Sequence, residues 1–500
     1  MTYGLSKSKL MAYRQCPRRL WLSVHEPDRA LETKTATAAF ATGHEVGAVA
    51  RALYPGGQLI PEEGPLDQAL QNTAAALGRR PRHALFEATV SHKELLVRVD
   101  ILKPARSGWD LIEVKSATRV KDHYYEDVAI QAHALQEAGI PVHRCILQGI
   151  DSTFVYPGHG CYHEVLADGS VNSLFWEEDL TCDIRPLMKA VASWRKAAQK
   201  TLAASVMPPS TDHCEDPYPC PFIGFCHEEK GPDYPLSYLP RLSAKERDRL
   251  TALGYQDIRD IPPRVLTNET QEWVRAVTAA QRPDLRPEAA ASLKGLGYPR
   301  YYLDFETIQF AVPIWQGTRP YEQLPFQWSC HIEQKDGAMT HQGFLDLSGD
   351  RPLRAFAERL IGAVKTSGPI FVYNQGFEGR VIAELAARFA DLKVSLQALI
   401  LRLVDLLPLT RQHYYHPDMK GSWSIKSVVP TIAPDLDYAQ LDGVQDGGEA
   451  QQAYREAIDP NTPVARKRVI EQSLFAYCAR DTEAMARLAH FLTGSASQQQ

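Results

Sequence analysis

Two mixed α/β domains joined by a helical connector are what this sequence of 500 residues predicts. The first sign is strand patterning at Leu85–Val90, Leu95–Leu102, Trp109–Val114 and Val142–Ile150, interrupted by helical spacing over Tyr124–Ala138. The second is a fresh alternation of strands and helices after Pro299, opening with Tyr301-Tyr302-Leu303 and ending in Asp304. Between them, 236–299 carries only short helical patterns. The expected division is therefore 1–235, a connector over 236–299, a second domain over 300–493, and a small polar tail over 494–500 that reads as disordered.

Each element has a local reason. Ser6 can cap a helix running to Leu22, in which Leu10, Tyr13, Leu20 and Trp21 recur at roughly helical spacing. A second helix is expected over Thr37–Leu53. In the connector, Leu242, Leu250, Leu253-Gly254-Tyr255, Ile258 and Ile261 resemble a degenerate helix–hairpin–helix, with a plain helical spacer as the alternative. Further strands are expected at Phe326–Ile332 and Ile370–Tyr373, and helices at Arg354–Lys365, Glu378–Phe389 and Lys467–Leu492.

Hydrophobic residues make up 44% of the chain, enough for two or three cores. No apolar run approaches the length of a membrane span, and the start lacks the layout of a signal peptide, so no membrane partner and a cytoplasmic location are expected. The net charge of −5 neither announces a nucleic-acid partner nor excludes one. Nine cysteines in a reducing compartment are not expected to pair, and Cys145, Cys161, Cys182, Cys330 and Cys478 read as plain buried thiols.

The other four cysteines form a pattern. Cys16 stands near the start, and Cys214, Cys220 and Cys226 follow far downstream, threaded by Pro217, Pro219, Pro221 and Gly224. Four thiolates can hold zinc or an iron–sulfur cluster, and the closely spaced pairs usual for zinc are missing here. Inside this bracket lie Asp100 at a strand end and Glu113-Val114-Lys115 on the next strand. Alternation puts Glu113 and Lys115 on one face, where a hairpin would bring Asp100 beside them. Two carboxylates can share a divalent cation while the ammonium offsets charge on a phosphate. His44, Glu87 and Gln131 are nearby candidates on neighbouring elements.

With these residues in place, Leu5–Lys230 resembles the RecB-type PD-(D/E)xK nucleases that carry an iron–sulfur cluster, such as the CRISPR-associated RecB-like nucleases and the AddB nuclease domain. Ser6-Lys7-Ser8-Lys9-Leu10 and Cys16-Pro17-Arg18-Arg19-Leu20-Trp21 carry the likeness as well. The resemblance implies a restriction-endonuclease-like fold, metal binding at His44, Asp100 and Glu113, catalysis at Lys115 and a polar substrate contact at Gln131. It also implies a [4Fe–4S] cluster on Cys16, Cys214, Cys220 and Cys226. The family's usual Tyr four residues after the Gln is replaced by Leu135.

A second constellation begins at Leu303-Asp304-Phe305-Glu306, two carboxylates on one strand face. Tyr373-Asn374-Gln375-Gly376-Phe377-Glu378 leads a strand into a helix, and Tyr477 and Asp481 lie one helical turn apart. Four acids converging on two cations would serve phosphoryl transfer. In this order the pieces, over Tyr301–Leu492, resemble the DnaQ-like, or DEDD, 3′–5′ exonucleases of the RNase H-like fold, in the subtype with Tyr before the last Asp. The resemblance implies Mg²⁺ or Mn²⁺ on Asp304, Glu306, Glu378 and Asp481, Tyr477 as a catalytic hydroxyl, and Asn374 at the substrate. Glu378 stands where most of that superfamily has Asp. Asp405 reads equally as a further acidic site residue or as a helix cap. The fusion of both modules resembles a bacterial family of RecB-like nucleases. The expected function is hydrolysis of nucleic acid, with DNA the leading substrate and RNA open for the second module. The alternative is a nucleic-acid-binding or scaffold protein with one or both sites degenerate.

Overall fold

The computed structural model describes residues 4–31, 34–211, 213–228 and 231–494, so the expected tail beyond Gly494 lies outside the described residues. The chain is mixed α/β and divides into two compact units, Met1–Lys230 with Phe310–Glu322, and Gly231–Gln309 with Gln323–Gln500. The expected boundaries thus shift twice. The stretch 310–322 leaves the second domain for the first unit, where Ala311 and Val312 pack with Phe154, Tyr156 and Phe175. The connector, in turn, is part of the second unit's core and not a spacer.

In the first unit the strands are β1 (Leu5–Ser6), β2 (Gln58–Leu59), β3 (Leu85–His92), β4 (Leu95–Ala105), β5 (Gly108–Val114), β6 (Val142–Ile150), a small hairpin of β7 (His163–Val165) and β8 (Val171–Ser173), and β9 (Phe175–Asp179). One sheet runs β2-β3-β4-β5-β6-β9, with β1 added against β4. Leu95, Val97, Val99 and Ile101 bury one face of β4, which turns Asp100 to the other. β5 is buried along nearly its whole length, as a central strand should be. Helix Asp122–Glu137 packs across the sheet and buries Asp127 and Gln131, one turn apart on a single face.

The expected single helix at the start is two, Lys7–Gln15 and Pro17–His25. Pro17 forces the break: it has no N–H to donate, and it drives Cys16 into an extended conformation (φ −159°, ψ 122°). Ser6 caps the first of the pair by accepting from the Lys9 N–H.

The second unit contains β10 (Asp284–Leu285), β11 (Arg300–Ile308), β12 (Leu324–Glu333), β13 (Met339–Leu345), β14 (Ile370–Val372), β15 (Leu403–Asp405) and β16 (Tyr414–Tyr415). Its main sheet is ordered β13-β12-β11-β14-β15. β11 is antiparallel to β12 and parallel to β14, so the sheet is mixed. Helices Leu353–Ala363, Gln375–Arg388 and Val464–Leu492 fall within three residues of expectation at each end. Where a helix–hairpin–helix was considered there is one helix, Ala244–Ala252, and one 3₁₀ turn, Ile258–Asp260. Leu250, Ile258 and Ile261 are spent on a core shared with Tyr302, Phe371 and Met485. Among the described residues no helix is long and apolar enough to cross a membrane.

Candidate functional site

In the first unit the β4–β5 register pairs Ile101 with Ile112, which carries Asp100 beside Glu113. The carboxylate of Asp100 accepts the Val114 N–H at 2.7 Å. Burial and the neighbouring Glu113 charge push its pKa up to about 8. Lys115 Nζ lies 2.6 Å from both Glu113 and Asp127. Lys7, at the start of its helix, reaches Glu113 at 3.0 Å and Asp127 at 2.8 Å. Gln131 is fully buried and donates to Glu113 at 2.6 Å and Asp127 at 3.0 Å. Burial alone would lower the Lys115 pKa, but Asp127 and Glu113 raise it well above its ordinary value.

Sequence reasoning missed Lys7 and Asp127 as members of this network. Asp127 stands four residues before Gln131, a spacing that puts them on one helical face. Lys7 was marked only as part of the Ser6-Lys7-Ser8-Lys9-Leu10 likeness, with no role attached. His44 is exposed and lines a cavity of about 520 Å³ with Asp100, Glu113 and Lys115. Glu87 lines it too. The β3–β4 ladder pairs Phe86 with Ile101 and Ala88 with Val99, leaving Glu87 between them at a left-handed φ of 56°, 3.3 Å from Arg51.

In the second unit Asp304 and Glu306 project from β11, and a bulge directly after Glu306 shifts the register against β12. Ligand atoms of Asp304, Glu306 and Cys478 lie within 4.8 Å of one another. Cys478, read from sequence as a plain buried thiol, therefore belongs to the site, its sulfur 3.8 Å from the Asp304 carboxylate. Asp481 follows on the same helix, and the Tyr438 hydroxyl donates to it at 2.6 Å. Glu378, in the first turn of helix Gln375–Arg388, is buried, and its Oε2 has no hydrogen-bond partner.

The acids strain against one another. Burial, then Asp481, Glu306 and Glu378, raise the Asp304 pKa well above the carboxylate range. Burial and Asp481 push Glu306 up to about 8, and burial takes Glu378 to about 8. Burial, then Asp481 and Glu306, raise the Tyr477 pKa, so its hydroxyl keeps its proton. Lys426 holds its ammonium 4.9 Å from the Tyr477 ring and 5.2 Å from the Tyr438 ring. Neither Tyr438 nor Lys426 was marked by the sequence. Asp405 resolves as a structural acid: it caps helix Leu406–His413 and accepts the backbone N–H groups of Asn374 and Gln375 at 3.0 and 2.9 Å. That clamp holds Asn374 at a left-handed φ of 97°.

The four cysteines are gathered in the first unit. Cys214 feels the charges of Cys220, Cys226 and Cys16, and Cys220 those of Cys16 and Cys226. The Cys220 N–H donates to the Cys214 carbonyl at 2.7 Å. Cys16 sits at the N-cap of helix Pro17–His25; burial opposes its ionisation, but hydrogen bonds from Thr211 and the Arg19 and Arg18 backbone lower its pKa overall. Cys226 lies in a short helix, Ile223–Glu228, which begins after the last proline of the run, Pro221. Trp21, Phe222 and Phe225 pack in one cluster with Cys220 and Cys226. Among the described residues, no three of these sulfurs come within the 4.8 Å that gathers Asp304, Glu306 and Cys478.

Residues 301–424 match the family model described as Domain of unknown function (DUF2779). The match takes in Asp304, Glu306, Asn374, Glu378 and Asp405 but stops short of Tyr477 and Asp481. No curated protein matches the chain.

Proposed function

We propose that this protein is a metal-dependent nuclease with two active sites, a RecB-like PD-(D/E)xK site in the first unit and a DnaQ-like exonuclease site in the second, acting on DNA. One observation carries the proposal: Asp304, Glu306, Glu378 and Asp481 converge from three chain segments with raised pKa values and one orphaned carboxylate oxygen. Buried like charges of this kind are costly unless cations compensate them, and the donor set is all oxygen apart from Cys478, which suits Mg²⁺ or Mn²⁺. Those four residues would hold the ions, as would Asp100 and Glu113 with His44 in the first unit. When bound, the ions supply charge neutralisation and an activated water for phosphodiester hydrolysis.

The chain's own groups have clear parts in this reading. Tyr477 keeps its proton, so it orients the attacking water by donating or accepting a hydrogen bond and does not act as a base. Lys115 stays an ammonium and offsets charge developing on the phosphate. Cys16, Cys214, Cys220 and Cys226 would hold a [4Fe–4S] cluster, a reading supported by the family likeness and by the lack of the closely spaced cysteine pairs usual for zinc. Anaerobically purified protein is then brown with about four irons per chain; colourless protein with stoichiometric zinc overturns it.

The deciding assay is purified protein with Mn²⁺ or Mg²⁺ on end-labelled single- and double-stranded DNA and RNA. Cleavage is expected in the wild type and absent from Lys115→Ala combined with Asp304→Asn. Activity surviving in that pair of substitutions would refute both assignments. A second reading applies to the first unit alone, because Glu113 and Asp127 are already occupied by two ammonium groups. On that reading the unit binds nucleic acid without cutting it, and Lys115→Ala changes nothing in the cleavage pattern.

A further inference from the structure

A cavity of about 960 Å³ opens in the second unit, lined by residues from the former connector, from helix Leu406–His413 and from the segment 421–425. Its aromatic lining is Trp273, Tyr373 and Trp423, and its charged lining is Arg241, Arg286 and Arg411 against a single acid, Glu269. The rings are fixed by their polar edges. The Trp273 indole N–H donates to Asp284 at 2.6 Å, that of Trp423 to the Tyr414 carbonyl at 2.9 Å, and the Tyr373 hydroxyl to the Trp423 carbonyl at 2.7 Å. Trp273 and Trp423 stack with centroids 6.5 Å apart, and Arg286 lies 4.0 Å over the Trp273 face. Among the described residues, Arg241 and Arg411 make neither a hydrogen bond nor an ion pair, and both are exposed.

Two short stretches of chain link the cavity's lining to the carboxylate cluster. Asn374 lies in its lining and caps the helix whose first turn carries Glu378. Ile425, also in the lining, is followed by Lys426, whose ammonium sits over the Tyr477 ring. Anchored aromatic rings offer faces to any unstacked base, and unpaired guanidinium groups offer charge to phosphates. A duplex keeps its bases stacked on one another and cannot use such rings.

We infer that this cavity seats the unpaired nucleotides of a single strand whose 3′ end lies at the carboxylate cluster, with bases against Trp273 and Trp423 and phosphates on Arg241 and Arg411. The inference rests on the proposed exonuclease reading of that cluster. Recognition is by ring faces and charge, so it tolerates any base sequence. The test uses the full-length protein in EDTA, where nothing is cut, and the fluorescence anisotropy of a short labelled oligothymidine. Arg241→Ala with Arg411→Ala is expected to weaken binding by about tenfold and to lower the salt dependence, by roughly 0.7 in log–log slope per lost phosphate contact. An abasic strand of the same length should bind the wild type about tenfold more weakly, and a blunt duplex more weakly still. Unchanged affinity in the double arginine variant overturns the inference, as does an abasic strand bound as tightly as oligothymidine. An acidic peptide that competes as well as the oligonucleotide also overturns it. Failure of the exonuclease reading shows separately: Asp304→Asn would leave 3′ trimming intact, while the binding result still judges the cavity.

Discussion

In the first unit Glu113 and Asp127 are met by Lys7 and Lys115 in direct ion pairs, whereas in the second Asp304, Glu306, Glu378 and Asp481 face one another, with Lys426 held against tyrosine rings. Two ammonium groups are ion-paired to the acids of the first cluster, and among the described residues none is ion-paired to those of the second. A site neutralised by ammonium groups can fold without metal, and any metal it takes must compete with them. A site of uncompensated acids gains stability from every cation it binds. The two clusters should therefore answer the same perturbation in opposite directions.

The largest expected effect is on catalysis at the second cluster. Asp304→Asn keeps the shape and removes a ligand charge, so 3′ trimming should fall by a factor on the order of 100 or more, measured in a Lys115→Ala background. Trimming within twofold of the parent would break the comparison. Next comes Lys115→Ala, which leaves Glu113 and Asp127 with a single ammonium. Cutting by the first unit should fall by about 100-fold while its Mn²⁺ affinity rises, a split that calorimetry beside an endpoint assay can read.

The third prediction concerns pH. Glu306 and Glu378 titrate near 8 in the folded protein, above the ordinary value of 4.5. Between those limits the folded state holds more protons than the unfolded one, so metal-free stability falls as pH rises from about 5 to 8. Glu378→Gln removes one such acid and should raise the metal-free melting temperature at pH 8, by about 2–4 °C for each kcal/mol relieved, with little change at pH 5. Mn²⁺ should stabilise the parent more than this variant. A melting temperature that climbs with pH in EDTA would sink the idea. The smallest effect is expected at Tyr321, whose hydroxyl donates to the Ser116 carbonyl within the first unit. Tyr321→Phe should cost about 1 kcal/mol in urea titrations and leave the second cluster's activity untouched.

How much of this could be read from sequence depended on the kind of element. Asp100, Glu113 and Lys115 were legible because strand alternation assigns faces without any knowledge of packing. Asp304 with Glu306, and Tyr477 with Asp481, follow from the same arithmetic on a strand and a helix. Asp127 and Lys7 were not legible, since a helix shows which residues share a face but not what that face meets. Tyr438 sits in a single 3₁₀ turn with no period to read, and β13 is so exposed that it lacks apolar alternation. The break at Cys16 was available in Pro17, but the apolar spacing on either side suggested one continuous helix. Asp405 was decided by two backbone N–H groups that only a folded chain brings to it.

The excursion of residues 310–322 also governs the order in which this protein can be made. Ser116 and Tyr321 are 205 positions apart in sequence, and Tyr162 meets Pro313 across 151. A ribosome adding roughly 5–20 residues per second releases the first sheet long before the segment that packs in its core cluster exists. During that interval the apolar side of Phe154, Tyr156 and Phe175 awaits Ala311 and Val312, open to chaperones or to a neighbouring nascent chain. A stop codon placed after residue 235 would make that interval permanent.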